Sequence, residues 1–136
     1  MDTIDLKNPT LYINRELSLL EFNRRVIEQA KDENLPLLER LRFLCIASTN
    51  LDEFFEIRVA GLKQQVKYGS TQTGPDNLSP TEVLTRVSET AHQFVEEQYS
   101  VWNDLIIPAM AKDNIRLLRR SQWKSQTSRW IHRYFK

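Results

Sequence analysis

The sequence predicts an all-α fold, an antiparallel bundle of three long helices followed by a short carboxy-terminal helical extension. The 136 residues include 3 Gly and 5 Pro, so long stretches run without a helix breaker. Those stretches are rich in Leu, Glu, Arg, Lys, Gln and Ala, which favour helix, and their apolar residues recur at helical spacing. Long helices joined by short or flexible links favour an antiparallel bundle around one core.

Size and charge narrow the class of protein further. The length fits one domain, and 40% hydrophobic with 27% charged residues is typical of soluble proteins. The start MDTIDLKNPT lacks the basic and apolar segments of a secretory signal, so a cytoplasmic location is expected. A formal net charge of +1 argues against a nucleic-acid-binding module, which usually presents a strongly basic face.

The first helix has a capping signal at its predicted start. Ser18 and Glu21 fit a capping box, in which each side chain accepts a hydrogen bond from the backbone of the other residue. Leu17 and Phe22 would form the accompanying hydrophobic staple. The helix is therefore predicted from Ser18 to about Lys31.

The second helix is predicted from Pro36 through Val66, with Pro36 in its first turn. Its core stripe follows helical spacing and consists of Leu37, Leu41, Leu44, Leu51, Phe55 and Leu62. A second apolar stripe shares the face of Asn50 and consists of Phe43, Ile46, Phe54, Ile57 and Gly61. Since a small bundle needs one stripe, the second would pack another helix or form a surface for a partner or a purine ring.

The third helix follows a predicted mobile surface loop, residues 68–79, which contains two Gly and one Pro. Residues 79–82 form a capping box with Pro80 at the first helical position. Its predicted core face consists of Val83, Val87, Ala91, Phe94, Gln98, Val101 and Leu105. Pro108 is expected to kink the helix, and Asp113 with Asn114 to end it.

The carboxy-terminal segment combines aromatic and basic residues. Ser121 is predicted to cap a last helical segment with Trp123, Trp130, Ile131, Tyr134 and Phe135. Its basic residues are Arg116, Arg119, Arg120, Lys124, Arg129, Arg133 and Lys136. They could contact a polyanion, although a solvated linker face is favoured. Because the aromatic pattern stops without a closing signal, residues 113–136 are predicted to lead into a further domain.

The Cys, His, Asp and Glu residues lack the sequence spacing that is typical of catalytic sites and metal sites. Cys45 lies in an apolar run and is predicted to be a buried, inert thiol. Asp52, Glu53 and Glu56 are predicted to form a solvated acidic face, since Asp52 and Glu56 are an i,i+4 pair without a nearby His. His92 and His132 have no neighbouring carboxylate or Cys spacing, and the sequence contains no Gly-rich phosphate loop. Neither a catalytic residue nor a metal ligand is predicted.

Asn50 leaves two interpretations open. Its amide offers both a donor and an acceptor, which suits the edge of an adenine base. Alternatively, Asn50 caps a break and restart of the helix at Thr49–Asn50, with Asp52 or Glu53 in the new first turn. Spacing alone favours the cap.

Two segments carry a resemblance to a known family: LYINRELSLLEFNRRVIEQA at 11–30 and PLLERLRFLCIASTNLDEFFEIRVAGLKQQV at 36–66. They resemble the start of the polyphosphate kinase family, which reversibly transfers the terminal phosphate of ATP to polyphosphate. The resemblance implies an amino-terminal helical domain at 1–112 and a lead-in to a head domain at 113–136. It places the phosphorylated histidine and the Mg²⁺ ligands beyond Lys136, and neither His92 nor His132 matches that histidine.

The resemblance makes Asn50 an ATP contact on the adenine side of the site. It implies ATP and polyphosphate as partners of the complete enzyme, with Mg²⁺, the remaining domains and a homo-oligomer, and leaves peripheral membrane association open. The isolated fragment is expected to be inactive. The alternative is a non-enzymatic helical adaptor whose second apolar stripe binds a partner helix.

Overall fold

The computed structural model describes residues 3–136, and every regular element in that part of the chain is helical. Three long helical rods form: α1 (Arg15–Lys31), α2 (Leu37–Phe54) continued by α3 (Ala60–Lys67), and α4 (Pro80–Ser100) continued by α5 (Ile107–Lys112). A short helix, α6 (Ser125–Tyr134), follows them. Single 3₁₀ turns occur at Pro9–Leu11 and Arg120–Gln122. The predicted bundle with a helical extension is confirmed.

The rods enclose one apolar core. α1 packs against α2 and α4, and α4 packs against α3. Because α4 meets α3 while the Val101–Ile106 segment that follows α4 meets α2, the second and third rods are antiparallel. The core cluster consists of Leu20, Ile27, Ala30, Leu44, Ala47, Leu51, Phe54, Val59, Leu62, Val83, Val87, Phe94, Val101, Ile106 and Met110.

The start of α1 differs from the prediction. Asn14 is the capping residue, and its side-chain oxygen accepts a hydrogen bond from the backbone N–H of Leu17 at 3.1 Å. The Asn14 Nδ2 group also donates to Asp76 Oδ2 at 2.8 Å, which ties the start of α1 to the loop before α4. Ser18 therefore lies inside the first turn, and the predicted Ser18–Glu21 capping box is wrong. The end at Lys31 is confirmed.

The second rod contains a π-helical turn, Phe55–Val59, and begins with Pro36 as its capping residue. The wide turn takes up an extra residue, so the buried positions step from Phe54 to Val59. Phe55, which the helical spacing placed in the core, is exposed instead. The predicted phase of this stripe was wrong at Phe55, while Leu44, Leu51 and Leu62 are buried and Leu37 and Leu41 pack against the core.

The third rod begins as predicted and shifts phase in the same way. Ser79 and Glu82 form the capping box, and Pro80 follows the cap. A second π-helical turn, Val101–Ile106, then precedes Pro108. Pro108 lacks the N–H of a regular turn and crowds the carbonyl four residues before it, which the wider turn accommodates.

The consequence of this second π-helical turn is a changed core position. Ile106 is completely buried at 0% exposure, whereas Leu105, the predicted core residue, is 40% exposed. Gln98 is half-buried, and the other predicted core positions of this face are buried. α5 ends at Lys112, where Asn114 adopts a left-handed conformation with φ 59° and the Ile115 N–H donates to Met110 O at 2.9 Å.

The segment after α5 is mostly irregular and exposed. Ser121 lies in the 3₁₀ turn, and α6 begins at Ser125 after Lys124, which makes no capping hydrogen bond through its side chain. The prediction that Ser121 caps this helix is therefore wrong. Across residues 3–136 each helix is too short or too polar to cross a bilayer.

Candidate functional site

Asn50 lies inside an unbroken stretch of α2. The helix runs from Leu37 to Phe54, and the Thr49 hydroxyl donates to Cys45 O at 3.1 Å within it. The predicted break at Thr49–Asn50, with Asn50 as a helix cap, is therefore wrong. The half-buried side chain of Asn50 is directed to neighbouring α1 rather than to its own backbone.

A pair of amide side chains connects α1 to α2 at this point. Asn50 Nδ2 donates to Asn23 Oδ1 at 3.1 Å. Asn23 Nδ2 donates in turn to the backbone oxygen of Ala47 at 2.9 Å. Asn23 is 4% exposed and occupies a core-facing position of α1, between Leu20 and Ile27. The two side chains form a buried-to-surface amide relay that ends at Asn50.

Asn50 lines a cleft of about 360 Å³ between α1, the end of α2 and the Phe55–Val59 turn. The cleft is lined by Leu19, Leu20, Phe22, Asn23, Asn50, Glu53, Phe54, Ile57 and Arg58. Most of these side chains are apolar, and the polar members are the amide pair, one carboxylate and one guanidinium. The π-helical turn contributes Ile57 and Arg58 to the wall. An apolar cleft with a few convergent polar groups is typical of a small-molecule site.

The predicted second apolar stripe is divided between core and surface. Phe54 is buried and Phe43 packs against the core, so these two residues stabilise the bundle. Ile46 and Ile57 remain exposed, and Ile57 reaches the cleft. The face around Asn50 is therefore only partly available to a ligand or partner.

Apart from Glu53, which lines the cleft, the other candidate residues lie outside it. Cys45 is exposed, so its predicted burial is wrong, because the residue falls on the solvent side of α2 next to buried Leu44. His92 Nδ1 is 2.7 Å from Ser88 O within its own helix. Within residues 3–136, no group of three or more His, Cys, Asp or Glu side chains could hold a metal ion.

Two ionisable groups with shifted pKa values serve the fold. The pKa of Glu82 is lowered by its hydrogen bonds to Ser79 in the capping box. The pKa of Lys31 is raised by hydrogen bonds to Glu28 and Glu97. Glu97 of α4 also lies 3.5 Å from Arg24 of α1, so this carboxylate connects the two helices through two cations. Both sites lie away from the cleft.

The basic carboxy-terminal residues do not form a cleft with Asn50. All seven are exposed, and none forms an ion pair with another described residue. In α6, the exposed rings of Trp130 and Tyr134 stack with their centroids 5.4 Å apart. Arg129 and Arg133 lie along one side of the same helix beside His132. This segment presents a cationic and aromatic surface separate from the cleft.

The fold and the cleft define an all-helical domain with an apolar-walled cleft that is lined by the half-buried amide of Asn50. Comparison with known families identifies it further: residues 12–118 match the polyphosphate kinase N-terminal domain. The chain belongs to this family.

Curated relatives agree with this assignment. The chain is 54% identical to a polyphosphate kinase of Pseudomonas putida over 96% of its own length, and 52% identical to one of Pseudomonas syringae over 97%. It is 47% identical to a polyphosphate kinase of Xylella fastidiosa over 96% of the chain. In each case the chain spans 18% of the relative's length. No solved structure matches the chain significantly.

Sequence reasoning singled out Asn50 but missed other residues around it. Asn23 was overlooked, although an Asn at a core position of an amphipathic helix is a detectable signal of a buried hydrogen bond. Phe22 was assigned to a hydrophobic staple, and it lines the cleft instead. Arg58 could not be found from periodicity, because its place in the cleft depends on the π-helical turn.

Proposed function

We propose that this domain supplies part of the adenine-side ATP-binding surface of a polyphosphate kinase that reversibly transfers the terminal phosphate of ATP to polyphosphate. The observation that carries the proposal is the position of Asn50, whose amide lines an apolar cleft of about 360 Å³. Ligand clefts in proteins commonly have volumes of about 300–1,000 Å³. The cleft therefore has room for a purine base. The relatives bear the name polyphosphate kinase, which supports the proposed reaction.

The chemistry of the cleft suits an adenine base. Asn50 donates one N–H to Asn23 and keeps its Oδ1 atom as an acceptor for a ligand. Adenine presents a donor at its N6 amine and acceptors at N1 and N7, which an amide can recognise. Phe22 and Ile57 offer apolar contacts to the faces of the ring. Base recognition and ring burial would thus come from one small region.

The phosphates are proposed to be bound elsewhere in the complete enzyme, together with Mg²⁺. The sequence has no Gly-rich loop to bind a triphosphate through backbone amides. The domain would act with the remaining domains of the same chain, in a homo-oligomer, and would be inactive alone. Family membership favours this role over a non-enzymatic helical adaptor.

The test is Asn50→Ala in a complete polyphosphate kinase that carries this domain. Loss of one neutral hydrogen bond to the base, worth about 0.5–1.5 kcal/mol, should raise the KM for ATP by roughly twofold to tenfold. Inosine triphosphate, which has an oxygen in place of the N6 amine, should be affected less. Thr49→Ala is the matched control, because Thr49 is the exposed neighbour and is absent from the cleft. In the same assay, residues 1–136 alone should form no polymer.

Protein stability must be measured alongside activity. Asn50→Ala also leaves the buried Asn23 Oδ1 without its donor, at a cost of about 1–3 kcal/mol. A lowered melting temperature of the domain is therefore expected in either case. An unchanged KM for ATP in the folded variant would show that Asn50 serves the fold alone.

A further inference from the structure

We infer that Asn23 is a positioning residue that determines which end of the Asn50 amide faces the cleft, and thereby selects a 6-amino purine over a 6-oxo purine. This inference rests on the proposed function of Asn50. Asn23 is 4% exposed and lines the cleft beside Asn50, to which its side chain is hydrogen-bonded. Its effect on the base would be exerted through Asn50.

The orientation of the two amides is set by a backbone carbonyl group, which can only accept hydrogen bonds. The backbone oxygen of Ala47 is an acceptor, so the Asn23 atom that lies 2.9 Å from it must be the Nδ2 donor. Asn23 then presents Oδ1, an acceptor, to Asn50 at 3.1 Å. Asn50 must therefore donate to this oxygen through its own Nδ2 group. One backbone carbonyl therefore sets the direction of both amides.

Burial makes this direction costly to reverse. If the Asn23 amide turned over, its oxygen would face the Ala47 oxygen and its NH₂ group would face the NH₂ group of Asn50. Water has little access to restore these hydrogen bonds, because Asn23 is buried and only Asn50 reaches the surface. The Asn50 amide is consequently held with Nδ2 toward α1.

The remaining groups of Asn50 then define what the base must offer. With Nδ2 directed to Asn23, Oδ1 is the atom presented to the cleft, and no described residue donates to it. An oxygen acceptor matches the N6 amine of adenine and opposes the O6 carbonyl of hypoxanthine or guanine. Without Asn23, the Asn50 amide could rotate and offer NH₂ to a carbonyl. The buried residue would therefore control base selectivity through the orientation of the Asn50 amide.

The test measures the ratio of kcat/KM for ATP to kcat/KM for inosine triphosphate in the complete enzyme. Asn23→Ala should lower this ratio by about twofold to tenfold, the range expected for one hydrogen bond. Asn23→Asp should retain the ratio, because a protonated carboxyl group can donate to the Ala47 oxygen and still present its carbonyl oxygen to Asn50 Nδ2. Ile27→Val, a buried change on the same helix, is the control for destabilisation and should also retain the ratio.

Equal ratios for Asn23→Ala, Ile27→Val and the parent enzyme would overturn the inference. Failure of the underlying proposal looks different, because Asn50→Ala would then leave the ratio unchanged as well. If Asn23→Ala does not fold, Asn50→Asp provides a second test, since it keeps an oxygen toward the cleft. Asn50→Asp should retain the preference for ATP that Asn50→Ala loses, and equal loss in both variants would count against the assigned orientation.

Discussion

At the scale of the residue, Arg40 shows how one buried polar side chain joins two helices. Arg40 is 8% exposed, and its Nε atom donates to the backbone oxygen of Ala30 at 2.9 Å. Ala30 lies in the last turn of α1, where carbonyl groups lack partners within the helix. A cation at this end of a helix is also favoured by the helix dipole. Arg40 therefore stabilises the end of α1 from its position in α2.

The corresponding prediction compares two arginines of α2. Arg40→Met should lower the free energy of unfolding by about 1–3 kcal/mol, because it leaves a buried carbonyl unpaired. Arg42→Met should change it by less than about 0.5 kcal/mol, since Arg42 is a surface residue whose guanidinium lies 3.9 Å from Glu39. Urea denaturation of residues 1–136 measures both. Similar effects of the two substitutions would contradict this role for Arg40.

At the scale of the element, the two π-helical turns determine which side chains reach the core. Core positions on the second rod step from Phe54 to Val59, and those on the third rod step from Val101 to Ile106. Each step is longer than the three or four residues between neighbours on a regular helix face. Such turns often occur at functional sites, and Ile57 and Arg58 of the Phe55–Val59 turn line the cleft.

The phase of the third rod can be tested with adjacent residues. Ile106→Ala should lower the free energy of unfolding by about 2–5 kcal/mol, as expected for a large buried aliphatic side chain. Leu105→Ala should cost under about 1 kcal/mol, since its side chain is 40% exposed. The comparison uses chemical denaturation. A larger loss of stability for Leu105→Ala than for Ile106→Ala would indicate regular helical spacing and would contradict the π-helical turn.

At the scale of the whole molecule, charge is distributed unevenly along the chain. Residues 114–136 contain seven of the 19 basic residues and none of the 18 acidic residues. The formal charge of this segment is therefore +7, against −6 for residues 1–113, which together give the net charge of +1. The basic segment also carries the exposed side chains of Trp130, Tyr134 and Phe135. Opposite charges and apolar contacts both favour association between copies.

We expect residues 1–136 to self-associate, through the basic aromatic segment of one copy and the acidic bundle of another. Sedimentation velocity should show a sedimentation coefficient that rises with protein concentration and falls in 1 M salt, where the screening length is about 3 Å. Residues 1–112, which lack the segment, should remain monomeric under the same conditions. If residues 1–136 remain monomeric at high concentration, this expectation is contradicted. The domain boundary at 112/113 is still a prediction.

Local signals in the sequence were sufficient for the helical class and for several element boundaries. The α4 capping box, the end of α1 near Lys31 and the end of α5 before Asn114 all depend on residues within a few positions of each other. The choice of Asn50 came from the family resemblance, and the structure places its amide in a cleft. Its role in binding ATP is still a prediction.

Tertiary contacts decided what the local signals could not. α1 begins at Arg15 because Asn14, its cap, also bonds to Asp76, 62 residues away in sequence. Asn50 faces α1 because a buried Asn from another helix accepts its hydrogen bond. Periodicity describes a regular helix, so it could not anticipate where packing and Pro108 would favour a wider turn. The sequence by itself determined which segments are helical, whereas contacts between distant segments decided the phase of each helix and the orientation of the amide in the cleft.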